Sequence, residues 1–141
     1  MRLYAESSAV LAWLFGEDTG EMVRKILSGA ESVMSSDLTL VECERVIIRS
    51  EKVGGVTETQ AADRRAVLNR VAAHWHLVHL HDEVLERARR PFPQEPIRTL
   101  DALHLASALL LRSAISGLTL LSLDERIRAN AKELGFEVLP E

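Results

Sequence analysis

Residues 2–8 of the chain read RLYAESS and indicate the fold class most directly. The segment Arg2–Ala5 is short and apolar-leaning, which is typical of a β-strand, and either Ser7 or Ser8 can cap a helix directly after it. Glu6 therefore lies at the carboxyl end of a predicted strand. In open α/β sheets, ligands bind beyond the carboxyl ends of the strands, so Glu6 is a candidate site residue.

Strands and helices continue to alternate along the chain. Further strands are predicted at residues 32–35, 77–80, 118–121 and, as an edge strand, 136–139. Predicted caps of the intervening helices are Asp37, Thr57 (in a capping box with Gln60), Thr99 and Asp124. This order predicts an α/β fold in three layers, with a central parallel sheet of about four to five strands flanked by helices.

The composition limits both the class of protein and its mode of binding. The 141 residues suit one domain, and 47% hydrophobic with 27% charged residues indicates a folded globular chain. Lys and Arg total 17 and Asp and Glu total 21, so the net charge is 17 − 21 = −4. A chain with this charge cannot hold nucleic acid by a diffuse basic surface, so binding would need a local device such as a metal ion.

Other compositional features exclude further classes. The single cysteine, Cys43, excludes an internal disulfide framework and a Cys-rich zinc site, and is expected to be a buried structural thiol. No stretch is long and apolar enough to span a bilayer, and the first residues lack the pattern of a secretory signal. We therefore expect a cytoplasmic protein.

Four acids are candidates for a metal site. Glu6 and Asp124 follow predicted strands, Asp101 lies in the first turn of a helix, and Glu42 lies within one. Each has a structural alternative, because first-turn acids complement the helix dipole and Glu42 could be an exposed helix residue. Apolar neighbours surround Glu42 and Asp101, which favours a functional role. Converging carboxylates would repel, and one or more would stay protonated unless a cation joined them. Oxygen ligands favour Mg²⁺ or Mn²⁺, and periodicity alone leaves the convergence open.

Four segments carry a family resemblance in order along nearly the whole chain. They are the strand and acid-x-Ser-Ala turn at residues 3–9, the helix around Leu40-Val41-Glu42, the segment RTLDALHLA at residues 98–106, and Ser122-x-Asp124 with the helix that follows. Together they resemble the PIN-domain family, in particular the VapC toxins of toxin–antitoxin pairs. One departure concerns Glu6, where the family normally has Asp.

The resemblance implies a single PIN domain over residues 1–141 and metal-dependent hydrolysis of RNA that leaves a 3′-hydroxyl and a 5′-phosphate. The implied catalytic residues are Glu6, Glu42, Asp101 and Asp124, with Mg²⁺ (or Mn²⁺) held by Glu6, Asp101 and Asp124, and supporting hydrogen bonds from Ser8 and Ser122. The implied partners are a cognate VapB-type antitoxin, an RNA substrate such as tRNA or rRNA, and a second copy in a homodimer within a larger complex, with no membrane.

Two rival functions remain at this point. The first is a PIN domain with catalysis weakened by Glu6, which would bind antitoxin or RNA without turnover. The second is a phosphatase or phosphoacceptor domain; it is disfavoured because Glu6 stands where those enzymes carry Asp and because no Gly-rich phosphate loop with Lys is present.

Other polar residues have simpler interpretations. The histidines at 74, 76, 79 and 81 are expected at the surface or a sheet edge, and His104 is expected as a satisfied core histidine, with a supporting role at the site as the minor alternative. The doublets Arg64-Arg65 and Arg89-Arg90 could flank RNA but are better explained as solvated helix faces.

Overall fold

Five parallel strands form the centre of the molecule in the computed structural model, which describes residues 1–141. The elements in chain order are β1 (Arg2–Ala5), α1 (Ser7–Leu14), α2 (Gly20–Gly29), β2 (Ser32–Ser36), α3 (Asp37–Val53), α4 (Glu58–Ala72), β3 (His76–Val78), α5 (Asp82–Ala88), α6 (Thr99–Ala114), β4 (Leu118–Leu121), α7 (Glu125–Glu133) and β5 (Glu137–Leu139). The strand order is β3-β2-β1-β4-β5, and every neighbouring pair is parallel. The predicted α/β fold is confirmed.

The two faces of the sheet carry different helices because alternate residues of β1 point to opposite sides. Tyr4 packs in a core formed with α5, α6 and α7, where Leu105 and Ile127 are fully buried or nearly so. Ala5 packs on the other face with α1, α3 and α4, around Ile47 and Leu68. The helices therefore form a layer on each side of the sheet.

The strand order places a topological switch beside β1. The chain runs from β1 outward through β2 to β3, and later returns to pair β4 with the opposite edge of β1. Glu6 follows β1 directly, and its backbone N–H donates to the carbonyl of Leu121 at the end of β4 over 3.0 Å. Such a switch point is where open α/β sheets bind their ligands.

Three helix starts differ from the sequence-based prediction by one or two residues. The observed N-caps are Glu6, Ser36 and Arg98, rather than Ser7 or Ser8, Asp37 and Thr99. At Glu6 and Ser36 the backbone is extended and the side chain accepts from the second helical N–H, which defines a cap. Arg98 is also extended, but there the third helical residue, Asp101, accepts the Arg98 N–H over 3.4 Å.

The remaining boundaries agree more closely. Asp124 and the Thr57–Gln60 capping box begin their helices as predicted, whereas β3 covers His76–Val78 instead of residues 77–80. None of the seven helices has the length and apolar character needed to cross a bilayer.

Candidate active site

The four predicted acids line a single cleft at the carboxyl ends of β1 and β4. The cleft has a volume of about 280 Å³, and its walls include Glu6, Glu42, Asp101 and Asp124, together with Ser8 and Arg98. Ser122 is fully buried and bonds to Glu6. Two larger grooves lie along α5 and contain none of the four acids. The topology thus brings together residues that lie up to 118 positions apart in the chain, since 124 − 6 = 118.

Glu6 is held by serine hydroxyls rather than by a positive charge. Its Oε1 accepts from the Ser7 hydroxyl at 2.8 Å and from the Ser8 N–H at 3.1 Å. Its Oε2 accepts from the Ser122 hydroxyl at 2.7 Å and from the Ser8 hydroxyl. The carboxylate is 3% exposed, and the nearest basic group is His104, whose Nε2 lies 4.0 Å away. Four donors therefore satisfy a buried carboxylate that the longer Glu side chain carries to the end of β4.

Asp101 and Asp124 share one guanidinium. Arg98 donates from Nε to Asp101 Oδ2 at 3.1 Å, and from Nη2 to Asp101 Oδ1 at 3.4 Å and Asp124 Oδ2 at 2.9 Å. These bonds and the charges of the two carboxylates raise the pKa of Arg98, with the hydrogen bond to Asp101 the largest cause. The other oxygen of Asp124 accepts the Ile127 N–H at 3.0 Å, which fixes it as the cap of α7. The pair is thus positioned by two helix starts.

Glu42 is anchored from beneath by a buried histidine. His104 is 1% exposed; its Nε2 lies 2.5 Å from Glu42 Oε1 and its Nδ1 lies 2.9 Å from the Tyr4 hydroxyl. Burial and the charge of Glu6 raise the pKa of Tyr4 well above 10.0, so its hydroxyl stays neutral. A carboxylate can only accept, so Nε2 carries a proton toward Glu42, and in the neutral imidazole Nδ1 accepts from Tyr4. The relay Tyr4–His104–Glu42 fixes one oxygen of Glu42.

Two of these contacts were missed by sequence reasoning. Arg98 was not considered as a cation for the cleft, although its spacing of three from Asp101 on a helix start is the signal that could have found it. The contact from His104 to Glu42 joins residues 62 positions apart and has no local signal. His104 is the predicted core histidine, and its bond to Glu42 matches the minor alternative of a supporting role at the site.

The donor set of the cleft suits a hard divalent cation held by two carboxylates. No three His, Cys, Asp or Glu side chains lie close enough together to hold one ion as they stand. Asp101 and Asp124, however, each reach the same nitrogen, Arg98 Nη2, so their oxygens converge on one point that a cation already occupies. Mg²⁺ is commonly bound by one or two carboxylates, with waters and substrate phosphates as its other ligands. The residues therefore fit such an ion.

The remaining candidates lie outside the cleft. His79 is exposed and pairs with Asp37 at 2.5 Å, and His81 caps α5. Cys43 is buried on α3, and burial raises the pKa of its thiol to about 12. These positions agree with the predicted surface histidines and structural thiol.

The two basic doublets have different surroundings. Arg64 lies over the ring of Phe15 at 4.4 Å, and Arg65 pairs with Glu44 at 2.9 Å. Arg89 and Arg90 instead line a groove that shares Arg98 and Thr99 with the acidic cleft.

Comparisons with known proteins agree with this geometry. Residues 3–133 match the model of the PIN domain family. Over 137 residues the chain is 31% identical to the protein named Ribonuclease VapC46 of Mycobacterium tuberculosis, covering 97% of this chain and 95% of the relative.

Solved structures show the same fold at low sequence identity. The M. tuberculosis toxin VapC20, described as cleaving the sarcin–ricin loop, superposes with a TM-score of 0.63 at 16% identity, covering 95% of each chain. A chain of the VapBC2 complex of Rickettsia felis, solved with a DNA fragment from its promoter, gives 0.67 at 12% identity, covering 98% of this chain and 97% of that one.

Proposed function

Since this chain belongs to the PIN domain family, as one of its VapC-type members, we propose that it is a divalent-metal-dependent endoribonuclease and the toxin of a type II toxin–antitoxin pair. The observation that carries the proposal is the convergence of Asp101 and Asp124 on one point, inside a cleft whose other carboxylates are Glu6 and Glu42. The chain is 31% identical to a protein named a ribonuclease, which supports RNA as the substrate class.

Within this proposal the four acids have different roles. Asp101 and Asp124 would hold Mg²⁺, or Mn²⁺. Glu6 would support the ion by its charge, because four donors already occupy its oxygens. Ser8 and Ser122 support the site by holding Glu6 in place. When bound, the ion would lower the pKa of water and neutralise charge that develops on the phosphate.

Glu42 is suited to receive the proton of the attacking water. Glu42 lines the cleft, and His104 holds its Oε1, so Oε2 has no protein donor and is left to accept a proton. The water oxygen forms a bond to phosphorus, the bond from phosphorus to the 3′ oxygen breaks, and the 3′ oxygen takes a proton from solvent. The products are a 3′-hydroxyl and a 5′-phosphate.

The proposal extends to organisation and partners. Residues 1–141 form a single PIN domain that acts in the cytoplasm on RNA such as tRNA or rRNA. A VapB-type antitoxin inhibits it, and two copies pair as a homodimer within a larger toxin–antitoxin complex. Structural similarity to toxin–antitoxin complexes from R. felis and Klebsiella pneumoniae supports the antitoxin partner.

Cleavage of total cellular RNA by purified, antitoxin-free protein tests the proposal. We expect discrete fragments with Mg²⁺ or Mn²⁺, none with EDTA, and none from Asp101→Asn. The control Asp63→Asn removes an exposed carboxylate on α4 and should leave cleavage unchanged. Fragments that persist in EDTA or in Asp101→Asn would contradict the mechanism.

A second candidate follows from the four donors that occupy Glu6: a binding module without turnover. It predicts a folded wild-type protein that binds Mn²⁺ but cleaves no RNA. If Glu6→Asp then acquires cleavage, the natural protein is a weakened nuclease; if it does not, the binding module is favoured.

A further inference from the structure

Arg98 is the one basic side chain bonded to the acids of the cleft apart from the buried His104. Its guanidinium spans Asp101 and Asp124, yet the side chain is 63% exposed, whereas those of Asp101 and Asp124 are 6% and 22% exposed. An exposed arginine is free to rotate away from its partners, while the two carboxylates are fixed by the starts of α6 and α7. Of these three side chains, Arg98 is therefore the one with room to leave its partners.

A second groove beside the cleft is also lined by Arg98, so the side chain can turn into it. That groove has a volume of about 610 Å³ and is lined by Arg89, Arg90, Arg98 and Thr99, of which Arg98 and Thr99 also line the acidic cleft. The groove contains one acid, Glu95, whose two oxygens accept backbone N–H groups of Phe92 and Ile97. The lining of the groove therefore carries three arginines against one carboxylate, and the groove meets the cleft at the residues that they share.

We infer that Arg98 exchanges partners: it occupies Asp101 and Asp124 in the metal-free protein, and a divalent cation displaces it onto a phosphate of RNA lying in the neighbouring groove. This inference rests on the proposed function and adds a substrate-binding residue to it.

Competition for the same oxygens is the physical basis of the exchange. Arg98 Nη2 and a divalent cation would both be held by Asp101 and Asp124, so binding of one must release the other. The doubly charged ion is favoured at such a site once it is available. A released guanidinium has a planar fork of donors that matches phosphate, and a nearby RNA phosphate would pair with it.

Mn²⁺ binding to the RNA-free protein tests the first half of the exchange. Isothermal titration of wild type, Arg98→Gln and Arg126→Gln supplies a readout independent of cleavage. Arg98→Gln should bind Mn²⁺ about three- to tenfold more tightly, because no guanidinium competes. Arg126→Gln removes an exposed arginine of α7 that bonds to neither acid, and should bind as wild type does. The backbone N–H that caps α6 remains in Arg98→Gln, and a thermal melt checks its folding.

RNA binding with Mn²⁺ present tests the second half. The probe is a short fluorescein-labelled polyuridine, kept intact as judged on a gel and titrated over a range of salt concentrations. Arg98→Gln should bind it about three- to tenfold more weakly, and the slope of log affinity against log salt should fall by about 0.7, the value for one lost phosphate contact on a single strand. Arg98→Lys, which keeps the charge without the fork, should lie between the two.

The exchange predicts two opposite changes in Arg98→Gln: it binds Mn²⁺ more tightly and RNA more weakly than wild type does. Mn²⁺ affinity equal to or below that of wild type in Arg98→Gln would overturn the inference, as would tighter Mn²⁺ with unchanged RNA affinity. Asp101→Asn separates this failure from failure of the proposed function. If Asp101→Asn binds Mn²⁺ like wild type, the metal site itself is wrong; if it loses Mn²⁺ while Arg98→Gln behaves like wild type, only the exchange is wrong.

Discussion

Glu6 links the start of α1 to the end of β4 at the cleft. Its backbone bonds to Leu121 at the end of β4, while its carboxylate bonds to Ser7 and Ser8 on α1 and to Ser122 after β4. A buried carboxylate with four donors is both a site residue and a structural one. Its side chain is long enough to reach Ser122, which follows β4.

The structural part of this role is measurable with Glu6→Gln. The amide presents one oxygen where the carboxylate presents two. Either the hydroxyls of Ser8 and Ser122, or the Ser7 hydroxyl and the Ser8 N–H, therefore lose an acceptor and face an N–H₂ group. We expect the free energy of unfolding to fall by about 1–3 kcal/mol, measured by urea denaturation. Glu17→Gln, an exposed position in the turn after α1, should change it little. Equal stability of both variants would show that the serine contacts do not hold the cleft together.

Cys43 gives a pH dependence at the same scale. Burial raises the pKa of its thiol from 9.0 to about 12. Between these values the unfolded chain has lost the proton and the folded chain has kept it, so stability falls as pH rises. The loss is about 1.4 kcal/mol for each pH unit in this range. Urea midpoints should therefore decline more steeply from pH 9 to 11 in wild type than in Cys43→Ala; parallel declines would contradict the burial of a protonated thiol.

At the scale of elements, α2 packs closely against α1 through a glycine. A Cβ added to Gly20 would lie 2.5 Å from the backbone oxygen of Ala12, which is too close for any side chain. Gly29, at the other end of α2, has nothing within 4 Å of its added Cβ. Gly20→Ala should therefore lower the free energy of unfolding by about 1–3 kcal/mol. Gly29→Ala should leave it unchanged or raise it by up to about 1 kcal/mol, and thermal melts of the two variants compare them directly.

The secondary structure was predictable because the residues that begin and end its helices and strands act locally. Asp124 and the Thr57–Gln60 capping box begin their helices as predicted, and the apolar run Leu118–Leu121 is the predicted strand. The predicted caps were wrong at three helices. At α1 and α3 the reason is that the residue whose side chain accepts the second helical N–H is decided by geometry that several neighbouring polar residues could satisfy. Ser36 and Asp37 are such a pair, and the structure uses Ser36.

At the scale of the whole molecule, the sequence predicted which acids could lie in one cleft but not which residues bond to them. Parallel strands bring Glu6 and the loop before Asp124 to one edge of the sheet, so topology alone explains their proximity. The contacts Tyr4–His104 and His104–Glu42 span 100 and 62 positions, and they depend on how α3 and α6 pack on β1. Such contacts have no period or motif, which is why the relay beneath Glu42 was found only in the structure.

A divalent cation should stabilise the whole molecule through the same two carboxylates. The chain carries a net charge of −4, and one bound dication reduces it to −4 + 2 = −2 while replacing one singly charged guanidinium at Asp101 and Asp124. A ligand that binds only the folded state at about 100 times its Kd stabilises it by about 2.7 kcal/mol. Mn²⁺ at that excess should raise Tm by about 5–10 °C. Asp101→Asn combined with Asp124→Asn should abolish the rise, whereas Asp18→Asn with Asp63→Asn, which removes two exposed acids elsewhere, should preserve it. An equal rise in Tm for both double variants would mean that Mn²⁺ acts by general screening of the negative charge. It would contradict specific binding of the ion in the cleft.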